Sequence, residues 1–328
     1  MKRLEKPAET LIIEQFSGYV QKGPFVNGSS ILISELDSDL NQTGRIYSST
    51  VADNTGSFEQ KQIELVSSYV QLKADGYYFN EVSGEPSSGQ LTLYAISDIS
   101  KVNSANVNVL THLEKSRIEY LVQQTKMSFA VAKKQAQNEV LGIFNLTLSA
   151  DSTSESLNLS DEGENNAILL AVSCILQGYS TTAELSELMG NIITDIRTDG
   201  KLDNETLGST LIDNALLIDL QAIRKNLEDK YKELGLIKPI IPDFEKQIQK
   251  FTANSDFKPV KKVTYPVSGR NGLNLLNDTV SRIPKSMSYS TFSIKAELPK
   301  GTSLRIVLKG ERIWSISPQY SPQTINWE

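Results

Sequence analysis

The segment TVADNTGSFEQ, residues 50–60, joins two strand-like stretches through the turn Asp-Asn-Thr-Gly. Gly56 can adopt a positive φ angle at little steric cost, and Asp53 and Asn54 can satisfy local backbone donors. Phe58 follows the turn directly. The pattern therefore predicts a β-hairpin at this point, with the Phe58 side chain directed into a hydrophobic core.

Strand and turn patterns continue on both sides of this segment. The stretches SSILISEL (29–36) and YVQLKA (69–74) are rich in β-branched and aliphatic residues. Turn-forming pairs separate them, including Asn27-Gly28 and Asp75-Gly76. Short strands at this spacing predict a β-sandwich over residues 16–100, because two sheets must bury their apolar faces against each other.

Helical periodicity replaces the strand pattern over residues 106–250. The stretches LTHLEKSRIEYLV (110–122) and SFAVAKKQAQNEVLGIF (128–144) place apolar residues at helical spacing. NAILLAVSCILQG (166–178) is apolar almost all round, as a central buried helix would be. We predict five or six helices, with the intervening polar tract 149–166 as a loop too poor in hydrophobic residues to pack.

Helix boundaries are also marked in the sequence. Thr181 and Glu184 have capping-box spacing, and Asp219 is a predicted N-cap. Gly178 and Gly235 are predicted helix stops. The prolines at 239 and 242 then interrupt the helical pattern.

Strand character returns over residues 258–328, in stretches such as TFSIKAEL (291–298) and SLRIVLKG (303–310). We predict a C-terminal Ig-like β domain there. The predicted architecture is therefore multidomain β–α–β: a sandwich (16–100), an all-α helical domain (106–250) and a C-terminal β domain (258–328).

Composition excludes few classes of protein. The 328 residues carry a net charge of −6, with acidic and basic residues interspersed. This balance argues against a nucleic-acid-binding surface, which needs a basic stripe to neutralise phosphates. No apolar run reaches the length of about 18 residues that a membrane span needs. The chain start shows no export signal, so the sequence fits either a cytosolic protein or a start placed after a removed signal.

The N-terminal strands and turns resemble the carboxypeptidase-regulatory, transthyretin-like sandwich modules. The segments GYVQKGPFVNGSSILISEL, TVADNTGSFE and VQLKADGYYF carry the resemblance. It implies structural and not catalytic roles at the matching positions: Gly18, Gly23, Pro24, Gly28, Thr50, Asp53, Gly56, Phe58, Gly76 and Tyr77.

The segments that follow are similar to exported lipoproteins of Bacteroidetes-like bacteria, which carry a helical region after the sandwich. The similarity lies in NVNVLTHLEKSRIEYLV, SFAVAKKQAQNEVLGIF and the helices up to residue 235. It implies an exported protein at the outer membrane or cell surface, held by a lipid anchor. The chain departs from this pattern because it has neither the export signal nor the lipid-acceptor cysteine.

Few residues are candidates for chemistry. His112 is the single histidine, and neighbouring Glu114 is not placed to orient it on a helix. We expect His112 to pack or cap at the seam between sandwich and helices. Cys174, the single cysteine, has apolar neighbours and is expected to be a small buried hydrophobe. The sequence predicts no catalytic, cofactor-binding or metal-ligating residue.

One segment comes close to a calcium-binding loop. In DIRTDGKLDNET (195–206), Asp195, Asp199 and Asp203 fall at positions one, five and nine of an EF-hand-like loop. Arg197 stands at position three, however, and Thr206 stands where a bidentate glutamate is required. The alternative is a helix end, an Asp-Gly turn and a new N-cap at residue 203 or 204.

Phosphate-binding and hydrolase motifs are absent from the sequence, which has no G-x-G-x-x-G, Walker A or G-x-S-x-G pattern. Adjacent carboxylates at residues 161–162 and 228–229 are typical of solvated helix faces. A pair of catalytic acids distant in sequence would escape this reasoning.

Aromatic residues cluster at Tyr77-Tyr78-Phe79 and again at Trp314, Tyr320 and Trp327. Since neighbours alternate across a strand, at least one of the first three should face outward. The sequence thus predicts a non-enzymatic cell-envelope or surface lipoprotein, a binding, adhesive or structural module for an extracellular glycan or protein. The alternative is a hydrolase whose carboxylates meet between domains.

Overall fold

A computed structural model of the chain describes residues 10–235 and 241–259. All of these belong to one unit that spans Met1–Pro259, and Val260–Glu328 form a second unit. The predicted C-terminal β domain, and with it Trp314, Tyr320 and Trp327, lies outside the described residues apart from its first two positions.

Nine strands fall within the described residues, and they form a sandwich-like region followed by helices. The strands are β1 (Leu11–Gln21), β2 (Ser30–Leu36), β3 (Gln42–Thr50), β4 (Ser57–Leu65), β5 (Tyr69–Gly76), β6 (Phe79–Asn80), β7 (Glu85–Pro86), β8 (Leu91–Asp98) and β9 (Val107–Asn108). One sheet has the order β3-β2-β5-β8 and is antiparallel throughout. The other has the order β4-β1-β9, in which β9 runs parallel to β1. β6 and β7 form a separate short ribbon.

Alternate side chains of the two sheets fill the space between them. Ile31, Ile33 and Leu72 from the four-stranded sheet are completely buried. They belong to the same hydrophobic cluster as Phe16 and Phe58 of the other sheet. This alternation is what the strand periodicity predicted. The first strand begins at Leu11 instead of residue 16.

The predicted turn after Thr50 is confirmed, but the two strands it joins do not form a hairpin within one sheet. Gly56 has a φ of +87°, and the Phe58 side chain is 2% exposed. Backbone pairing between the two strands is limited to the bridge between Val51 and Phe58, after which β3 and β4 enter different sheets. The turn therefore closes one corner of the sandwich, and the two strands meet there mainly through side-chain hydrogen bonds, such as Ser49 to the Glu59 carbonyl.

Seven α-helices follow within the described residues: α1 (Val109–Thr125), α2 (Phe129–Ile143), α3 (Glu164–Gln177), α4 (Thr182–Ile196), α5 (Glu205–Leu217), α6 (Leu220–Glu233) and α7 (Phe244–Asn254). The capping box of Thr181 and Glu184 is confirmed, as is the Asp219 N-cap of α6. Gly178 and Gly235 both have positive φ angles at helix ends. These local signals are set by short-range hydrogen bonds, which explains why sequence reasoning finds them.

Two expectations about the helical region were wrong. The prolines do interrupt the helices, since α6 ends at Glu233 and α7 begins at Phe244. The described residues hold seven helices instead of five or six, however, because Asp243 accepts a hydrogen bond from the Lys246 amide and starts α7. The polar tract 149–166 does pack, since Leu157 and Leu159 are buried and a short 3-10 helix, Ser154–Ser156, lies within it. Two leucines among many polar residues suffice because neighbouring elements supply the rest of the apolar surface.

The helices cover the outer face of the four-stranded sheet near β8. Ile96, on that outer face, belongs to a second hydrophobic cluster with Ile118 and Leu121 of α1. The principal cluster runs from the sandwich into α3, where Leu169 and Ile175 are completely buried. Sandwich and helices therefore share one continuous hydrophobic core.

Candidate binding surface at the loop end of the sandwich

Three loops meet at the end of the sandwich where β3 and β5 finish and β2 begins. We name residues 26–28, 53–56 and 76–77 the loop platform. The register places Ser30 opposite both Thr50 and Asp75, so the three loops leave the same edge of the sheet. The platform is therefore a set of adjacent loops on a rigid scaffold, a common arrangement for binding sites.

Backbone hydrogen bonds hold the loops together. The Val26 amide donates to the Tyr77 carbonyl at 2.9 Å, and the Gly28 amide donates to the Val51 carbonyl at 2.9 Å. The Asn27 amide donates to Asn54 Oδ1, also at 2.9 Å. Each loop is thus fixed to at least one of the others, which limits the conformational entropy that ligand binding would have to remove.

Two glycines of the loop platform lie where the neighbouring atoms leave no room for a side chain. A Cβ atom at Gly56 would lie 2.4 Å from the Val20 carbonyl oxygen, and a Cβ at Gly76 would lie 2.0 Å from Ser29 Oγ. Gly56 also has a positive φ angle. The resemblance placed structural roles on both glycines, and their surroundings require the absence of a side chain.

One member of the aromatic trio faces outward, as predicted for at least one of the three, although the other two are both buried and do not alternate. Tyr77 is 45% exposed, whereas Tyr78 is completely buried and Phe79 is 6% exposed. The Tyr78 ring stacks on Phe25 with a centroid distance of 6.0 Å, and its hydroxyl donates to Gln177 Oε1 of α3 at 2.9 Å. Tyr78 thereby anchors the loop that presents Tyr77 to solvent.

Several polar groups of the loop platform are available to a ligand. Within the described residues, the Tyr77 hydroxyl, the Asn27 side-chain amide and Asn54 Nδ2 make no hydrogen bond. Asp53 is occupied differently: burial opposes its ionisation, but hydrogen bonds from Thr55 and Ser57 prevail and lower the pKa of this carboxyl. The free groups are therefore neutral donors and acceptors on the same set of loops as one exposed aromatic ring.

His112 lies at the seam between sandwich and helices, as predicted. Its ring stacks on Tyr94 of β8 at 5.8 Å, and its Nδ1 is buried without a hydrogen-bond partner. Burial, with a smaller contribution from the Lys115 ammonium, lowers the pKa of His112 to about 4. A neutral imidazole packed in this way contributes stacking and shape.

Glu114 belongs to a buried ionic cluster that sequence reasoning missed. Lys133 Nζ lies 2.9 Å from Glu114 Oε2 and 2.9 Å from Glu155 Oε2. Ser154 also donates to the Glu114 carboxylate. Burial raises the pKa of Glu114, opposed by the Lys133 charge. The four side chains come from α1, α2 and the 3-10 helix, so only the tertiary fold assembles them.

Residues 195–206 form a helix end, a turn and a new N-cap, and an arginine side chain is bonded to this turn. Asp195 Oδ2 accepts the amides of Asp203 and Asn204, and Asn204 is the N-cap of α5. Arg117 Nη1 of α1 donates to the Arg197 and Thr198 carbonyls, at 3.2 Å and 2.6 Å. Asp195 is therefore engaged with backbone amides, and a guanidinium is bound to the loop where its charge opposes that of a cation. No group of three or more His, Cys, Asp or Glu side chains among the described residues could hold a metal ion.

Cys174 is completely buried in α3, as expected, and burial raises the pKa of its thiol well above the ordinary value. Beside it in sequence, Ser173 joins a second buried network. Lys22 Nζ donates to Glu81 Oε2 at 2.8 Å, and Ser173 Oγ donates to Glu81 Oε1 at 2.6 Å. The network ties the sandwich loops to the central helix.

Three of the four carboxylates singled out in the sequence are exposed. Asp161 and Glu162 are exposed, and Asp229 is exposed and paired with Lys225 at 3.0 Å. A depression of about 510 Å³ on α2 is open to solvent. Its lining residues are Ala130, Val131, Lys134, Gln135, Asn138 and Glu139. The Glu139 carboxylate in that lining already binds Arg117 at 2.7 Å.

In the described part of the chain, no single helix has both the length and the apolarity to cross a bilayer. Helices α3 and α4 meet both requirements when taken together, but the chain bends by 110° between them. Comparisons with protein-family models, with curated proteins and with solved structures give no match.

Proposed function

We propose that the chain is a non-enzymatic cell-envelope protein, exported and held at the outer membrane or cell surface by an N-terminal lipid anchor that is absent from these 328 residues. Its N-terminal sandwich binds an extracellular ligand through the loop platform. The observation that carries the binding role is the 45% exposure of Tyr77 on loops fixed by backbone hydrogen bonds. A rigid ring in solvent offers a large contact area at a low cost in conformational entropy.

The transthyretin-like identity of the sandwich belongs to the same proposal. It is supported by the close packing around the glycines that the resemblance singled out. A Cβ at Gly18 would lie 2.1 Å from the Ala105 carbonyl oxygen, and a Cβ at Gly23 would lie 2.0 Å from the Phe79 carbonyl oxygen. Such contacts explain why a family built on this sandwich would use glycine at these two positions.

The hydrolase alternative has weaker support. A catalytic acid needs a raised pKa and access to substrate. Among the described residues, the carboxyl whose pKa is raised is Glu114, which is enclosed by Lys133 and Ser154. We therefore favour the binding role. The hydrolase stays a prediction, and it would need carboxylates other than Glu114.

Cell fractionation tests the proposed location. We expect the native protein in the envelope fraction, labelled by a metabolically incorporated fatty-acid analogue and degraded when intact cells are treated with protease. A soluble intracellular protein without lipid label would contradict the proposal.

Binding of labelled protein to extracellular matrix and cell-surface material tests the platform itself. Tyr77→Ala should reduce retention, whereas Ile46→Ala should not, because Ile46 is 54% exposed on β3, away from the platform. Equal retention of both variants would exclude the loop platform as the binding surface.

A further inference from the structure

We propose that the ligand of the loop platform is a neutral glycan, a single sugar ring of which stacks on Tyr77 while its hydroxyl groups bond to the side-chain amides of Asn27 and Asn54. This inference rests on the proposed function and names the chemical class of its ligand. Three properties of the platform lead to it: the isolation of its aromatic ring, the free amides beside that ring and the absence of cations.

The aromatic ring is isolated within the platform. The other large hydrophobic side chains that are exposed in the described residues lie elsewhere: Ile12, Leu32, Ile46, Val66, Val102, Val131 and Leu216. A protein partner of ordinary affinity covers roughly 800 Å² per side, with an apolar centre of several residues. One ring in a polar surround matches instead the C–H face of one pyranose, whose width is close to that of a phenol ring.

The residues that carry the free amides are linked to Tyr77 by hydrogen bonds between the loops. The side-chain oxygen Oδ1 of Asn54 accepts from the Asn27 backbone amide, and the backbone amide of Val26, the neighbour of Asn27, donates to the Tyr77 carbonyl. Asn27 therefore lies next to the residue that is bonded to Tyr77, and Asn54 is bonded to Asn27. Asn side chains provide both donors and acceptors, which is what a hydroxyl group requires of its partner.

The charge of the platform excludes an acidic ligand. Residues 26–28, 53–56 and 76–77 contain no lysine or arginine, and they include Asp53. Hydrogen bonds from Thr55 and Ser57 hold the pKa of Asp53 low, so it stays ionised at neutral pH. A sulfated or uronic sugar would meet this carboxylate without a compensating cation. A neutral sugar carries no charge for this carboxylate to repel.

The test is calorimetric titration of the full 328-residue chain. The neutral probes are cello-, manno-, xylo- and malto-oligosaccharides, and the anionic probes are oligogalacturonate and heparin oligosaccharide. We expect at least one neutral probe to bind at a millimolar Kd or tighter. Tyr77→Ala should then raise that Kd by about tenfold or more, and Tyr77→Phe, which keeps the ring, should change it by less than about threefold.

Two further variants separate the platform from the rest of the surface. Asn27→Ala should raise the Kd by about two- to tenfold through loss of one hydrogen-bonding group. Ile46→Ala should leave it unchanged. Circular dichroism would verify that each variant is folded, which we expect because all three side chains are exposed.

Failure of this inference is distinguishable from failure of the proposed function. Stronger binding of the anionic probes, no binding of any neutral probe, or binding insensitive to Tyr77→Ala would each overturn the glycan assignment. If a surface protein were instead retained through Tyr77, the glycan would be wrong while the binding role stood.

Discussion

Lys22 and Glu81 form an ion pair of 2.8 Å in which both side chains are completely inaccessible to solvent. The Lys22 ammonium also lies 5.4 Å from the centroid of the Tyr78 ring, the residue that anchors the loop platform. Because Ser173 of α3 donates to the same carboxylate, the pair connects the sandwich to the central helix. The residues that anchor the loop platform and the helical region thus share one buried polar network.

Breaking this pair should be costly. Lys22→Met leaves the Glu81 carboxylate buried without its cation, and we expect a loss of about 3–5 kcal/mol in the free energy of unfolding. The double variant Lys22→Met/Glu81→Leu should recover much of that loss, since it leaves no buried charge. Denaturant titration measures both. As a control, Lys225→Met removes an exposed pair with Asp229 and should cost less than about 1 kcal/mol. Equal losses for the two single variants would refute this account.

Stability should depend on pH through His112. The pKa of His112 is about 4 in the folded chain and about 6.5 when unfolded, so the unfolded state binds the proton more tightly. The contribution of His112 is therefore fully present above pH 6.5 and is lost as the pH falls toward 4, to a total of about 3 kcal/mol. Comparison of the unfolding free energy of wild type and His112→Phe from pH 7.5 to 4 checks this. A difference that stayed constant across this range would contradict it.

Two glycines should respond oppositely to alanine. Gly56→Ala places a Cβ 2.4 Å from the Val20 carbonyl oxygen at a φ of +87°, and we expect a loss of about 1–3 kcal/mol. Gly142→Ala, in α2 with open space around it, should gain about 0.5–1 kcal/mol through the higher helix propensity of alanine. Thermal unfolding distinguishes the signs. If Gly56→Ala raised the Tm, the corner turn would accommodate a side chain without strain, and the prediction would be wrong.

Calcium should leave the 195–206 loop unaffected, since Asp195 already accepts two backbone amides and the positive Arg117 guanidinium is bound to the loop. We expect the same Tm in excess Ca²⁺ and in chelator. Arg117→Gln should lower the Tm in both conditions, because Glu139 loses its partner as well. A Tm raised by Ca²⁺ in the wild-type chain would reinstate the calcium-binding alternative.

Much of the local structure was predictable from the sequence. The strand periodicity located the buried faces of the sandwich, and the Asp53–Gly56 turn and the helix caps at Thr181 and Asp219 were correctly placed. These features depend on groups a few residues apart, so the information they need lies within short windows. The same reasoning placed one of the three neighbouring aromatics in solvent, although it could not say which one.

Only the tertiary structure decided the relationships between residues that are far apart in the sequence. Nothing in the sequence around Thr50 indicates that β3 and β4 separate into two sheets, because local pairing and a sheet corner use the same turn chemistry. Lys22 and Glu81 are 59 positions apart, and the charges of Glu114, Lys133 and Glu155 come from three elements. A charged residue that is solvated and one that is buried with a partner look alike in sequence. Their difference is set by which distant groups the fold brings within hydrogen-bonding distance, and the loop platform, built from three separated loops, is assembled in the same way.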